Sequence, residues 1–185
     1  MRAEILAIGA SAGGISALQS LMPSLQKIRG AAVVVVLHMH PESRVPYPTL
    51  YTAVREAVEK DRVEPGHIYF APPGYHLLIE DDRTFSLSVD DPVQWSRPSI
   101  DVLFECVARV YGSRAAGVVL TGANADGAAG LRRIQLAGGI TLVQDPVDAE
   151  VSSMPEAVLR CMQPDFVLTL PGLALQLETL LASRG

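Results

Sequence analysis

The segment Val33-Val34-Val35-Val36-Leu37 limits what this chain can fold into more than any other part of its sequence. Its branched aliphatic side chains leave no polar face, so a strand built from them must be covered on both sides. Such a strand belongs to a parallel sheet sandwiched between helices. Runs of the same character recur at Ile5 to Ile8, Ala116 to Leu120 and Ile140 to Val143. Helical patterns lie between and after them. Ile15, Leu18, Leu21 and Met22 recur at three- and four-residue intervals, and Ala125 to Ala137, Met154 to Arg160 and Leu173 to Leu181 have the length and composition of helices. This alternation predicts an α/β fold: a three-layer sandwich with a mostly parallel sheet and helices on both faces.

The stretch from His67 to Val89 reads differently. Ile68-Tyr69-Phe70, Tyr75 to Ile79 and Phe85 to Val89 are short strands separated by Pro72-Pro73-Gly74 and Asp81-Asp82-Arg83, which predicts a small antiparallel hairpin excursion at a sheet edge. No linker-like tract or internal repeat interrupts the chain, so a single domain over residues 1–185 is expected.

Composition removes several function classes. An apolar content of 49% against 19% charged residues excludes a disordered chain. The longest apolar run, Ala31 to Leu37, is far short of the roughly 20 residues that span a bilayer. The N-terminus lacks the hydrophobic segment of a secretory signal, so a cytoplasmic protein is expected. A net charge of −5 without a run of Lys or Arg argues against nucleic acid as a partner. Cys106 and Cys161 lie far apart and match no paired spacing, which suggests reduced, mostly buried thiols.

Gly9-Ala10-Ser11-Ala12-Gly13 fits the G-x-S-x-G pattern at the predicted turn from the first strand into the first helix. Small residues allow a sharp bend that exposes the Ser11 oxygen, and the helix start aims free N–H groups at the same place, which suits an oxyanion. Ser11 as a simple helix cap, or the loop as a phosphate cradle, uses the same residues, although neither G-x-G-x-x-G nor G-K-[ST] is present. His38 follows the Val33 to Leu37 strand, and the carboxyl ends of parallel strands share one sheet edge. Asp126 follows a third such strand. An imidazole able to take a hydroxyl proton and a carboxylate to orient it are thus available beside Ser11. The competing readings are Asp126 as a helix cap, and His38 with His40, His67 or His76 as metal ligands.

Three separated segments resemble the catalytic domain of the chemotaxis protein-glutamate methylesterase family, CheB: Gly9 to Gly14, Leu37-His38-Met39, and Leu120-Thr121-Gly122 with Asp126-Gly127-Ala128-Ala129-Gly130. Pro65 to Tyr69, Ala71-Pro72 with His76, Arg97 to Phe104, Gln144-Asp145 and Met154 to Ala157 extend the resemblance over nearly the whole chain. It implies a Ser11, His38, Asp126 triad and oxyanion donors at the Ala12 and Ala123 amides. It also implies hydrolysis of glutamate γ-methyl esters on the cytoplasmic helices of chemoreceptors, with glutamine deamidation as an accompanying activity. No metal or organic cofactor is implied.

The chain departs from the family pattern at Gly122-Ala123-Asn124-Ala125, where the family usually has Gly-Met-Gly and one further residue before the aspartate. Asn124 tolerates positive φ, so the loop is expected to keep its course. His40 stands where the family often has proline and could bring a second imidazole to the site. His40, His76 and Arg97 are the expected substrate-side contacts. The family's usual receiver domain would precede the first strand, so the expectation is either a trimmed chain or, more in keeping with Met1 lying so close to that strand, a stand-alone enzyme governed by a separate regulatory protein or by expression. Two further readings remain open: a catalytically weak homologue that binds signalling proteins, and an esterase for another methylated protein.

Overall fold

The computed structural model describes residues 3–39 and 54–181. Its central sheet has seven strands in the order β3-β4-β2-β1-β7-β8-β9, formed by β1 (Ile5–Ala10), β2 (Ala32–Leu37), β3 (Val54–Glu56), β4 (Ile68–Phe70), β7 (Ala115–Val119), β8 (Ile140–Gln144) and β9 (Phe166–Leu168). All of its pairings are parallel. β5 (His76–Ile79) and β6 (Phe85–Ser88) form a separate antiparallel hairpin. The Ile68-Tyr69-Phe70 strand therefore belongs to the main sheet rather than to the hairpin excursion. Its three buried side chains pack on both faces, as an interior parallel strand requires.

The period-two alternation of β1 and β2 divides the core. Leu6, Ile8, Val33 and Val35 point to one face, where α1 (Gly14–Leu25) and α5 (Leu170–Leu181) cover them with Leu18, Leu21, Leu173 and Leu177. Ile5, Ala7, Val34 and Val36 point to the other, under α2 (Ile100–Tyr111), α3 (Ala128–Leu136) and α4 (Ser153–Cys161). The hairpin packs on α2, with Leu77, Ile79 and Phe85 fully buried. Of the two cysteines, Cys106 is buried, whereas Cys161 is exposed at the end of α4, contrary to the expectation of two mostly buried thiols.

Strand order reverses around β1: the chain moves to one side through β2 and β4, and to the other through β7, β8 and β9. The carboxyl ends of β1, β2 and β7 thus lie together at one edge where the order reverses, the usual place for a ligand in an open α/β sheet. Gly9 sets how close α2 comes to that edge, since a Cβ there would lie 2.4 Å from Ile100 Cγ2. Among the described residues no helix is long and apolar enough to cross a membrane.

Candidate active site

Ser11 follows the last residue of β1 and is held there by the backbone. Its N–H donates to Thr121 O at 3.0 Å, and its carbonyl accepts from Gly14 N at 2.8 Å, closing a tight turn into α1. Gly13 makes that turn with φ of 77°, a conformation that favours glycine. Thr121 Oγ1 donates to Ala12 O at 2.8 Å and accepts from Val151 N at 2.8 Å, tying the turn to the β7 loop. Thr121 N in turn donates to Gln144 Oε1 at 2.9 Å. The Ala12 and Ala123 N–H groups have no acceptor among the described residues, and both residues are exposed.

His38 and Asp126 are joined through His38 Nε2 and Asp126 Oδ2 at 2.8 Å. Asp126 is fully buried, yet both its oxygens are satisfied. Oδ2 also accepts from Ile100 N at 2.7 Å, while Oδ1 accepts from Ser99 Oγ at 2.9 Å and Asp101 N at 3.0 Å. Ile100 and Asp101 open α2, so the carboxylate sits on the free amides and positive dipole end of a helix. Burial would raise its pKa, but the His38 bond and the Asp101 and Ile100 amides outweigh burial and hold it below the usual aspartate range. Asp126 is therefore ionised and accepts only, so Nε2 of His38 is the donor, and the neutral form of the ring presents its lone pair at Nδ1.

That lone pair meets Ser96 rather than Ser11: Ser96 Oγ lies 3.3 Å from His38 Nδ1, and Asn124 Nδ2 lies 3.4 Å from Ser96 Oγ. Among the described residues Ser11 Oγ has no hydrogen-bond partner. Ser11 and His38 nevertheless line one cleft of about 470 Å³ together with Trp95, Ser96, Arg97 and Asn124. Ser96 arrives on a tight two-residue hairpin turn closed by reciprocal Val93 and Ser96 backbone bonds of 3.1 and 2.9 Å. Its central residues, Gln94 and Trp95, have φ of 47° and 65°, where Asn and Gly are the usual occupants. Gln94 is anchored by its Nε2 bond to Asp101 Oδ2 at 3.0 Å, and Trp95 stands wholly in solvent at the rim of the cleft.

Asp101 completes an exchange between helices. Asp126, just before α3, caps α2, and Asp101, in the first turn of α2, accepts from Gly127 N at 2.9 Å and Gly130 N at 2.7 Å at the start of α3. Burial pushes the Asp101 carboxyl up to about 6; the Gly130 and Gly127 amides oppose this and the Asp126 charge adds to it. Because the folded group holds its proton to higher pH than the unfolded one, Asp101 favours the fold below about pH 4 and that contribution is lost as pH rises toward 6. Asp101→Asn removes this titration while keeping an acceptor for both amides. The melting temperature of the variant relative to the wild type should climb by roughly 5 °C between pH 4 and 6.5, after allowance for solvent screening. A constant difference across that range would contradict the assignment.

The remaining expected contacts divide. Arg97 lines the cleft, but its Nη1 donates to Val89 O at 2.8 Å and Asp90 O at 3.1 Å. His76 is only 2% exposed; its Nδ1 accepts from Ser99 N at 3.1 Å and its Nε2 donates to Asp91 O at 3.1 Å. His76 thus braces the start of α2 and is not among the residues that line the cleft. His40 lies outside the described residues. Asn124 has negative φ and instead accepts from Asp126 N at 3.2 Å, so this loop does not draw on its tolerance for the left-handed region. His67 precedes β4 and lies at the opposite sheet edge from His38. Among the described residues no group of three or more His, Cys, Asp or Glu side chains could hold a metal.

A family model described as CheB methylesterase matches residues 6–177. A relative from Leptospira interrogans, named putative protein-glutamate methylesterase/protein-glutamine glutaminase, is 44% identical over 179 residues, covering 94% of this chain and 93% of the relative. A protein-glutamate methylesterase/protein-glutamine glutaminase from Methanosarcina acetivorans is 40% identical over 183 residues, covering 92% of this chain and 51% of that protein. The crystal structure of the Thermotoga maritima CheB methylesterase catalytic domain superimposes with a TM-score of 0.90 at 30% identity, covering 97% of this chain and all of that one.

Proposed function

The chain belongs to the CheB methylesterase family, and on that premise we propose that it hydrolyses glutamate γ-methyl esters on the cytoplasmic helices of chemoreceptors. Glutamine side chains are a second substrate by the same route. In this reading residues 1–185 form a single catalytic domain that works in the cytoplasm. Ser11 is the nucleophile, His38 the base, and Asp126 the group that fixes the imidazole.

The observation that carries this reading is the fully buried Asp126 carboxylate, held on α2 and bonded to the ring of a histidine that lines the same cleft as Ser11. On substrate entry the Ser11 hydroxyl takes the place of Ser96 at His38 Nδ1. Its oxygen bonds to the ester carbon as its proton passes to Nδ1, and the oxyanion is held by the Ala12 and Ala123 amides. The carbon–oxygen bond to methanol breaks as His38 returns the proton to the departing methoxide. Water then repeats these steps on the acyl-serine and releases the glutamate carboxylate. With glutamine, the leaving group is ammonia.

A serine-directed phosphonate distinguishes Ser11 from its neighbour. Mass spectrometry of the labelled protein should place the phosphonyl group on Ser11, with loss of methanol release in step with labelling. Modification of Ser96 in place of Ser11, or full labelling with methanol release intact, would end this assignment.

A further inference from the structure

The sequence contains no run of basic residues, but the fold assembles one. Arg132 and Arg133 on α3 and Arg160 on α4 line a second groove of about 620 Å³ together with Gln94, Ala125 and Leu136. All three arginines are exposed. Arg132 and Arg133 have no acidic partner among the described residues, and Arg160 meets only Glu156, at 3.5 Å. This is a concentration of positive charge on a chain of net charge −5. The groove adjoins the cleft through two short segments: Gln94 and Ala125 line the groove, while their neighbours Trp95, Ser96 and Asn124 line the cleft. A chain laid across Ser11 and continuing past the Val93–Ser96 turn runs onto these guanidinium groups.

We infer that this groove is an accessory substrate site that binds free carboxylates flanking the ester on the same substrate protein. The inference rests on the esterase reading above. A protein whose glutamates are reversibly methylated presents carboxylates beside its remaining esters, and planar guanidinium groups pair with carboxylates by paired N–H bonds. Elsewhere the net negative chain repels such a segment, so the groove orients it as well as holding it.

Two synthetic helical peptides test this, each with one glutamyl γ-methyl ester, flanked in one by glutamates and in the other by alanines. Methanol release by the wild type should show a KM about tenfold lower for the glutamate-flanked peptide at low salt, the sum expected of three exposed ion pairs, with the preference fading as salt is raised. The Arg132→Gln, Arg133→Gln, Arg160→Gln protein should lose that preference while its kinetics with the alanine-flanked peptide, which also report an intact fold, stay unchanged. Equal KM values for both peptides in the wild type, or a preference that survives in the triple variant, would overturn the inference. Loss of turnover with both peptides in the triple variant alone would also overturn it, since the groove would then act in the chemistry rather than in selecting substrate. Failure of the wild type to release methanol from either peptide would instead remove the esterase reading, and this one with it.

Discussion

Ser11→Ala protein should fold as the wild type does and release methanol about 10⁶-fold more slowly, because the members of such a catalytic unit act together. The two halves of this result arise from the same observation. Ser11 Oγ has no hydrogen-bond partner among the described residues, so removing it leaves no buried group unpaired, and unfolding free energy should change by no more than about 0.5 kcal/mol. Ser96→Ala provides the contrast. It deletes two neutral hydrogen bonds, the one to His38 Nδ1 and the longer one from Asn124 Nδ2, so turnover should stay within about tenfold of the wild type. Initial rates with a methylated receptor fragment, paired with urea unfolding, measure both variants. A Ser11→Ala enzyme with wild-type rates, or a Ser96→Ala enzyme as dead as Ser11→Ala is expected to be, would reassign the nucleophile.

Asp126→Asn should damage both activity and stability. Each carboxylate oxygen accepts two hydrogen bonds, and an amide can replace only one oxygen as an acceptor. In one orientation its NH₂ faces His38 Nε2 and the Ile100 N–H; in the other it faces Ser99 Oγ and the Asp101 N–H. Ser99 can rotate its hydroxyl, but no backbone amide can. One buried N–H is left facing a donor, and the helix loses the anion at its start, at a cost of about 3 kcal/mol. If the NH₂ faces Nε2, the ring must carry its proton on Nδ1, the atom that accepts from Ser11 in the proposed reaction. Turnover should then fall about 10⁴-fold. Nitrogen-15 chemical shifts of the His38 ring would report the tautomer directly. A ring still protonated on Nε2 alone, with a wild-type rate, would contradict the role given to Asp126.

The acid dependence of Asp126 is opposite in sign to that of Asp101. Its pKa is lowered by folding, so its contribution is present above the unfolded carboxyl range near pH 4 and is lost as pH falls through the lower folded value. The two carboxylates thus act over different pH windows, although they belong to one hydrogen-bonded assembly.

Sequence reasoning located the parts of the site that depend on strand ends. Val33 to Leu37 identifies a doubly covered strand by composition alone, and His38 at its carboxyl end follows from the geometry of parallel sheets. The G-x-S-x-G turn is equally legible, because a bend of that sharpness restricts residue size. What escaped was the support. The family resemblance over Arg97 to Phe104 does not by itself predict the helix Ile100–Tyr111, although Ser99 accepts from Val102 N as a cap and Asp101 lies in the first turn. That capping signal was present in Ser99-Ile100-Asp101. Ser96 left no comparable trace: it reaches His38 through a turn whose central residues, Gln94 and Trp95, are unusual for their conformation. β3 and β9, three residues each, are too short for periodicity to reveal. The misread β4 has the same cause, since three apolar residues cannot distinguish an interior parallel strand from one arm of a hairpin.

The crossed capping of α2 and α3 also bears on how the site could be disabled. Asp126 leaves the start of one helix to anchor the other, and Asp101 returns the exchange, so the pair moves as a single piece with the imidazole hanging from it. The serine turn is suspended from another strand. Any force that prises α3 away from its neighbour would unseat the His38 ring from its carboxylate.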